Sequence, residues 1–137
     1  MAALTVRILK PEKEIAKIEG ASMLLGESVG GQFAILPEHT SLCTILRPGP
    51  MEVRVDRGRF HRFAISGGVL KLDTNHVDVF AASGEMSKEI DVTRAEAAKE
   101  RARERLDSQD KSVDRARAEH ALRRALVRLQ VASYRQS

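Results

Sequence analysis

Between Leu4 and Phe80, apolar and polar residues repeatedly alternate with the period of a pleated strand. Leu4, Val6 and Ile8 alternate with Thr5 and Arg7, and Val53 and Val55 with Glu52, Arg54 and Asp56, which predicts a sheet with one wet face. Asp56-Arg57-Gly58 predicts a tight reversal into a strand over Phe60 to Ile65. A second hairpin is expected from Val69-Leu70-Lys71-Leu72 and Val77-Asp78-Val79-Phe80 around the polar turn Asp73-Thr74-Asn75. Short strands at this spacing fit a sandwich or a barrel.

Beyond Gly84 the period changes to that of a helix. Ala95, Ala98, Ala102 and Leu106 recur at spacings of three and four, and Asp91 is placed to cap the helix that carries them. Asp107 to Lys111 is too polar to pack and predicts a turn. Ser112 or Asp114 then starts a second helix, with Ala118, Leu122, Ala125 and Leu129 on its stripe and Leu126 beside it. A short connection between matching stripes predicts an antiparallel hairpin. Its seam is rich in alanine, and each buried methyl is worth only about 0.8 kcal/mol. The pair is therefore expected to need support from the sandwich, a ligand or a partner.

Composition sharpens the division. All nine glycines lie at or before Gly84 and all four prolines before Met51, while 23 of the last 53 residues are charged. The expected class is α+β: an antiparallel β-sandwich over residues 1–84 followed by an antiparallel two-helix hairpin over 85–137. A chain of 137 residues holds about one domain and an appendage, which excludes large multidomain enzymes. No 18-residue apolar window and no signal-like leader is visible, so an intracellular protein starting at its own initiator methionine is expected. The single cysteine, Cys43, lies between Leu42 and Thr44-Ile45 and is expected to be a buried structural thiol.

The arginines of the hairpin carry the candidate chemistry. At 100° per residue, Arg94, Arg101 and Arg105 lie about 80 to 120° to one side of the first stripe. Arg117, Arg124 and Arg128 hold about the same offset, in the same sense, from the second. The approximate two-fold axis of an antiparallel pair places both rows along one edge, where planar guanidinium donors match phosphate oxygens. A solvated charged face also fits, since Glu96 with Lys99 and Glu100 with Arg103 are opposite-sign neighbours. Against that stand like-charge rows at i,i+4, such as Arg101 with Arg105 and Arg124 with Arg128, which cost roughly 0.2 to 0.5 kcal/mol per pair.

Ile90-Asp91-Val92-Thr93-Arg94-Ala95 resembles the Ile/Leu-Asp-Xaa-Xaa-Arg-Ala motif of the epsilon subunit of bacterial F-type ATP synthases. Ala97 to Ala102 and Arg117 to Leu129 are similar to the two C-terminal helices of the ATP-binding members. Phe33-Ala34-Ile35-Leu36-Pro37 with His39, and Ser66-Gly67-Gly68-Val69-Leu70, are similar to two signatures of the family's sandwich. The resemblance spans essentially the whole chain. One departure is Glu38, where the family usually has glycine between the proline and the histidine; a glycine there would serve a positive φ or a close approach.

The resemblance implies a non-catalytic rotor subunit whose sandwich docks on the gamma subunit and the c-subunit ring. Its hairpin would extend into the catalytic alpha/beta hexamer to inhibit ATP hydrolysis, or fold back and be stabilised by ATP, a regulatory ligand and not a catalytic cofactor. Membrane contact would come only through the complex, at the cytoplasmic face of the bacterial inner membrane. Carried over by motif, the nucleotide site is Glu85, Asp91, Arg94, Ala95, Arg101, Arg117, Arg124 and Arg128. For Asp91 a plain helix cap competes with a ligand role.

Enzyme motifs are missing: there is no phosphate loop ending in Lys and Ser/Thr, no nucleophile elbow and no His-Glu-Xaa-Xaa-His helix. His39 is expected to be structural or interfacial, and His61, His76 and His120 show no metal-ligand spacing. The alternative reading is a small basic nucleic-acid-binding module using the hairpin. Ten acidic residues in that segment and a lone aromatic, Tyr134, argue for no nucleic-acid partner.

Overall fold

The computed structural model describes residues 2–133, so Tyr134 lies outside the described residues. The strands are β1 (Leu4–Lys10), β2 (Lys13–Ala21), β3 (Met23–Ser28), β4 (Gly31–Ile35), β5 (Leu42–Leu46), β6 (Gly49–Arg54), β7 (Phe60–Ile65), β8 (Gly68–Asp73), β9 (His76–Ala81) and β10 (Gly84–Met86). They hydrogen-bond in the order β10-β7-β6-β3-β5-β8-β9-β1-β2, with β4 paired to β3 off that path, and wrap into a sandwich. Strand alternation drives this. Leu4, Val6, Ile8, Leu24, Val53, Phe63, Leu70, Leu72, Val77 and Val79 turn inward and form one core.

Three expectations need correction. The sandwich is not wholly antiparallel, because β1 pairs with β9 in parallel, Val6 facing Val77 and Ile8 facing Val79. Cys43 is exposed. The alternation of β5 buries Leu46 and turns Cys43 and Ile45 outward. Leu126, expected beside the helical stripe, is also exposed. Neighbouring Val127 is buried, but on a different face of the second helix.

Turn chemistry fixes the hairpins. Thr74 and Asn75 both have positive φ, 47° and 63°, as the two-residue turn between β8 and β9 requires. At Leu36-Pro37-Glu38-His39, the His39 N–H donates to Leu36 O at 3.2 Å. Glu38 takes φ 69° at the third position, the signature of a type II turn. The conformation suggested by the family's glycine is therefore kept by a glutamate. Asn75 supports it: the Glu38 N–H donates to Asn75 Oδ1 at 2.7 Å, and Asn75 Nδ2 donates to Glu38 Oε1 at 3.1 Å.

Two helices follow, α1 (Val92–Asp107) and α2 (Arg115–Ala132). Asp91 and Asp114 cap them, each accepting a backbone N–H through Oδ1 at 3.0 Å, from Arg94 and Arg117 respectively. Of the two starts proposed for α2, the structure selects Asp114. Ala95 and Ala102 of α1 and Ala118 and Ala125 of α2 are buried along their seam. A second face of α2, about 180° around from Ala118, carries Val127. With Val131 and Ala132 it packs on Ala64 of β7 and on Ile90, so α2 is the helix that lies on the sandwich.

Candidate functional site

The site is assembled where α1 begins, α2 ends and the sandwich hands over to the helices. Strand β10 pairs with β7 through Gly84–Ile65, Glu85–Ala64 and Met86–Phe63, which carries Glu85 to the hairpin's foot. The Asp91 cap fixes the start of α1, so Arg94 lies in its first turn and Arg101 two turns further on. Arg128 comes from the C-terminal half of α2. A cavity of about 510 Å³ opens between these elements, lined by Lys10, Ser83, Gly84, Glu85, Glu89, Asp91, Arg94, Ala95, Ala98, Arg101 and Arg128. That volume is within the range of small-molecule sites.

Six of the eight residues carried over by motif thus surround one space: Glu85, Asp91, Arg94, Ala95, Arg101 and Arg128. The other two do not line it. Arg124 borders a much smaller space against Ala64, Ile65 and Ser66, together with Val127 and Arg128. The reason is the seating of α2. Val127 points to the sheet, and Arg124 is only about 60° from it around the helix. Arg117 lies in the first turn of α2, about 16 Å along the axis from Arg128, as does Arg105 at the far end of α1.

Partners within the cavity are specific. Arg128 Nε donates to Glu85 Oε1 at 2.5 Å, with both side chains about one third exposed. Asp91 Oδ1 is occupied by its capping bond, and the Ala95 N–H donates to Asp91 O at 3.0 Å. Ala95 therefore has no backbone donor to offer, whereas a helical carbonyl oxygen keeps a second lone pair. Four cationic side chains and three carboxylates meet around the space. The guanidiniums suit phosphate oxygens, and the carboxylates suit hydroxyl or amine donors. A larger groove of about 920 Å³ runs between β2 and the turn at Asp56–Gly58. Several of its cations are already matched, Arg59 to Asp56 and Lys17 to Glu19.

The reading from sequence missed Arg123. It leaves α2 on the flank opposite Arg128, where Nε donates to Pro48 O at 3.1 Å and Nη2 to Glu27 Oε2 at 2.9 Å. No local pattern announces this contact, since 75 and 96 residues separate the partners. Also outside the cavity, Ile45, Val69 and Phe80 stand directly opposite one another on β5, β8 and β9. They are 59%, 39% and 49% exposed, an apolar row on the sandwich's outer face.

A β-sandwich with a helical hairpin docked along one side, and an anion-suited cavity in the joint, defines the class of this protein. Its sandwich matches the family described as ATP synthase, Delta/Epsilon chain, beta-sandwich domain over residues 3–87. Residues 88–133 match the long alpha-helix domain of the same chain. Proteins named ATP synthase epsilon chain resemble it along most of its length. That of Moorella thermoacetica is 40% identical over 132 residues, covering 96% of this chain and 98% of that one. That of Herpetosiphon aurantiacus is 43% identical over 119 residues, covering 87% of each. Among solved structures, a chain of the Euglena gracilis mitochondrial ATP synthase (OSCP/F1/c-ring) superposes with a TM-score of 0.82 at 24% identity, covering 98% of this chain and 82% of that one. A chain of the Tetrahymena thermophila mitochondrial ATP synthase central stalk/c-ring gives 0.56 at 18% identity, covering 98% and 96%. At those identities the likeness concerns the fold. The chain belongs to the ATP synthase delta/epsilon chain family and is a non-catalytic subunit of the ATP synthase.

Proposed function

We propose that the cavity between α1, α2 and β10 binds ATP as a regulatory ligand and thereby holds the hairpin against the sandwich. The observation that carries this reading is the convergence of Arg94, Arg101 and Arg128 from two helices, with Glu85 from the sandwich, on one space of about 510 Å³. A ligand there touches all three parts and so favours the arrangement in which they are together. At 100 times its dissociation constant it would stabilise that arrangement by about 2.7 kcal/mol. This is comparable to the roughly 3 kcal/mol that the four buried alanines of the seam supply at about 0.8 kcal/mol each.

Arg94, Arg101 and Arg128 contact the phosphates or stack on the base, while Glu85 and the Ala95 carbonyl receive the exocyclic amine. Arg124 and Arg117 extend the row toward the hairpin's far end and join the site when their side chains swing toward it. Without nucleotide the hairpin leaves the sandwich and inhibits hydrolysis by reaching into the alpha/beta hexamer. The sandwich meanwhile stays on the gamma subunit and the c-subunit ring, for which the apolar row of Ile45, Val69 and Phe80 is a docking face. The protein then lies at the cytoplasmic face of the bacterial inner membrane through its complex.

Isothermal titration with ATP, ADP and GTP, paired with limited proteolysis, tests the site. ATP should bind and protect residues 84–133 from cleavage. Unchanged cleavage at saturating ATP would remove the nucleotide from the account. A DNA shift assay at moderate salt should show no complex.

A further inference from the structure

We infer that Arg123, Glu27 and Gly49 form an ionic latch that sets how much of the hairpin is docked when no nucleotide is bound. The inference rests on the reading that the hairpin moves, and adds a second, ligand-independent control to it. Helix α2 is held down on both flanks of its contact with β7. On one flank Arg128 meets Glu85 inside the cavity, where a bound anion competes for the guanidinium. On the other flank Arg123, about 140° away around the helix, bridges the Pro48 carbonyl and the Glu27 carboxylate. Arg123 does not line the cavity, so the two attachments are separable.

The second flank is built for its ion pair. The Arg123 side chain is 37% exposed and that of Glu27 only 16%. Glu27 belongs to β3, whereas Pro48 immediately precedes β6, so one guanidinium ties α2 to two segments of the sandwich at once. Gly49 makes the room. A Cβ there would lie 2.1 Å from Glu27 Oε2 and 3.0 Å from its Cδ. Those atoms are the far end of a flexible side chain, so alanine at position 49 pushes the carboxylate away from Arg123 while leaving the strand in place. The backbone at Gly49 is not in the left-handed region, which leaves space as the reason for glycine here. Two charge-assisted donors on one arginine, partly withdrawn from water, correspond to about a tenfold effect on the docking equilibrium.

The test uses the full chain without nucleotide, labelled for energy transfer at its own exposed Cys43 and at Gln109→Cys in the connection between the helices. Arg123→Met keeps most of the stem and removes the charge. It should raise the undocked population about tenfold, as should Gly49→Ala, while Arg123→Lys retains part of the effect. Added salt should undock the parent protein and act less steeply on Arg123→Met, in which only the Arg128–Glu85 pair remains to be screened. Urea midpoints followed by sandwich probes should stay close to the parent's. An undocked fraction unchanged in Arg123→Met, or equally salt-sensitive in it, would overturn the latch. Saturating ATP should redock both Arg123→Met and Gly49→Ala. If the latch variants undock as stated but ATP redocks none of them, the nucleotide reading fails and the latch stands.

Discussion

Arg128 and Glu85, 43 residues apart in sequence, are joined Nε to Oε1 at 2.5 Å across the junction between α2 and the sandwich. Glu85 thereby occupies the guanidinium that a ligand phosphate would use, and also holds it in position over the cavity. Replacing Arg128 with alanine should weaken ATP binding by tenfold or more and remove most of the ATP-dependent thermal shift. Arg101→Ala should behave similarly, and Arg117→Ala, at the far end of the hairpin, should cost least. Titration calorimetry on the three variants checks the order. An Arg117 effect larger than that of Arg101 would relocate the site along the hairpin.

Gly68 is the residue of the Gly67-Gly68 bend with no freedom to change. Its φ is +147°, and a Cβ would lie 2.1 Å from Phe80 O and 3.0 Å from Ala81 Cα, both backbone atoms. The β8–β9 ladder would have to open. Gly68→Ala should cost about 3 kcal/mol or more, read as a lowered urea midpoint. A variant within 1 kcal/mol of the parent would show that the ladder yields.

Glu38 spends its backbone on a left-handed conformation for which glycine is suited. Glu38→Gly relieves that strain and gives up one exposed side-chain bond to Asn75. Stability should rise by about 0.5 kcal/mol. Thermal unfolding resolves the sign, and a loss of stability would mean that the Asn75 bond outweighs the strain.

Asp110, in the connection between the helices, accepts the Ser112 N–H through Oδ1 at 2.9 Å. This backbone bond, with help from the Ser112 hydroxyl, holds its carboxyl below the ordinary 3.8. A lowered folded-state value means the bond's contribution is fully present above the ordinary carboxylate range and is lost as pH falls through the lowered one. Protection of the Ser112 amide from hydrogen exchange should therefore persist down to about pH 4 and fade only in stronger acid. Asp110→Ala should lack that protection at every pH.

The row of Ile45, Val69 and Phe80 is apolar where a free sheet would be polar. Val69→Lys should leave the unfolding midpoint within 0.5 kcal/mol, since the position is on the wet side. It should nevertheless abolish co-purification with the gamma subunit. Retained assembly would move the docking face elsewhere on the sandwich.

Much of this architecture is written locally. Leu4, Val6 and Ile8 declare an inward face by alternation, and Asp91 declares a helix start three residues before the N–H it receives. The motif named eight candidate residues, six of which line one cavity, and the three arginines among those six also share the edge that helical angle alone assigns. What escaped depends on distant partners. The segment Leu42-Cys43-Thr44-Ile45-Leu46 has apolar residues of both parities, so sequence could not say which side faced the core. The parallel pairing of β1 with β9 leaves no local trace, and neither does the sandwich edge chosen by Arg123. Val127 and Val131 offered a signal, two β-branched residues one turn apart and facing away from the alanine stripe. That second apolar face turns Arg124 toward the sheet.

Because β1 borders β9 as well as β2, the sheet is sealed by a contact between the chain's first ten residues and residues 76–81. A growing polypeptide can make the β1–β2 hairpin at once but must release Ala81 from the ribosome before that seal forms. The helices leave the ribosome only afterwards. Biogenesis thus delivers a finished platform before the arm that will rest on it.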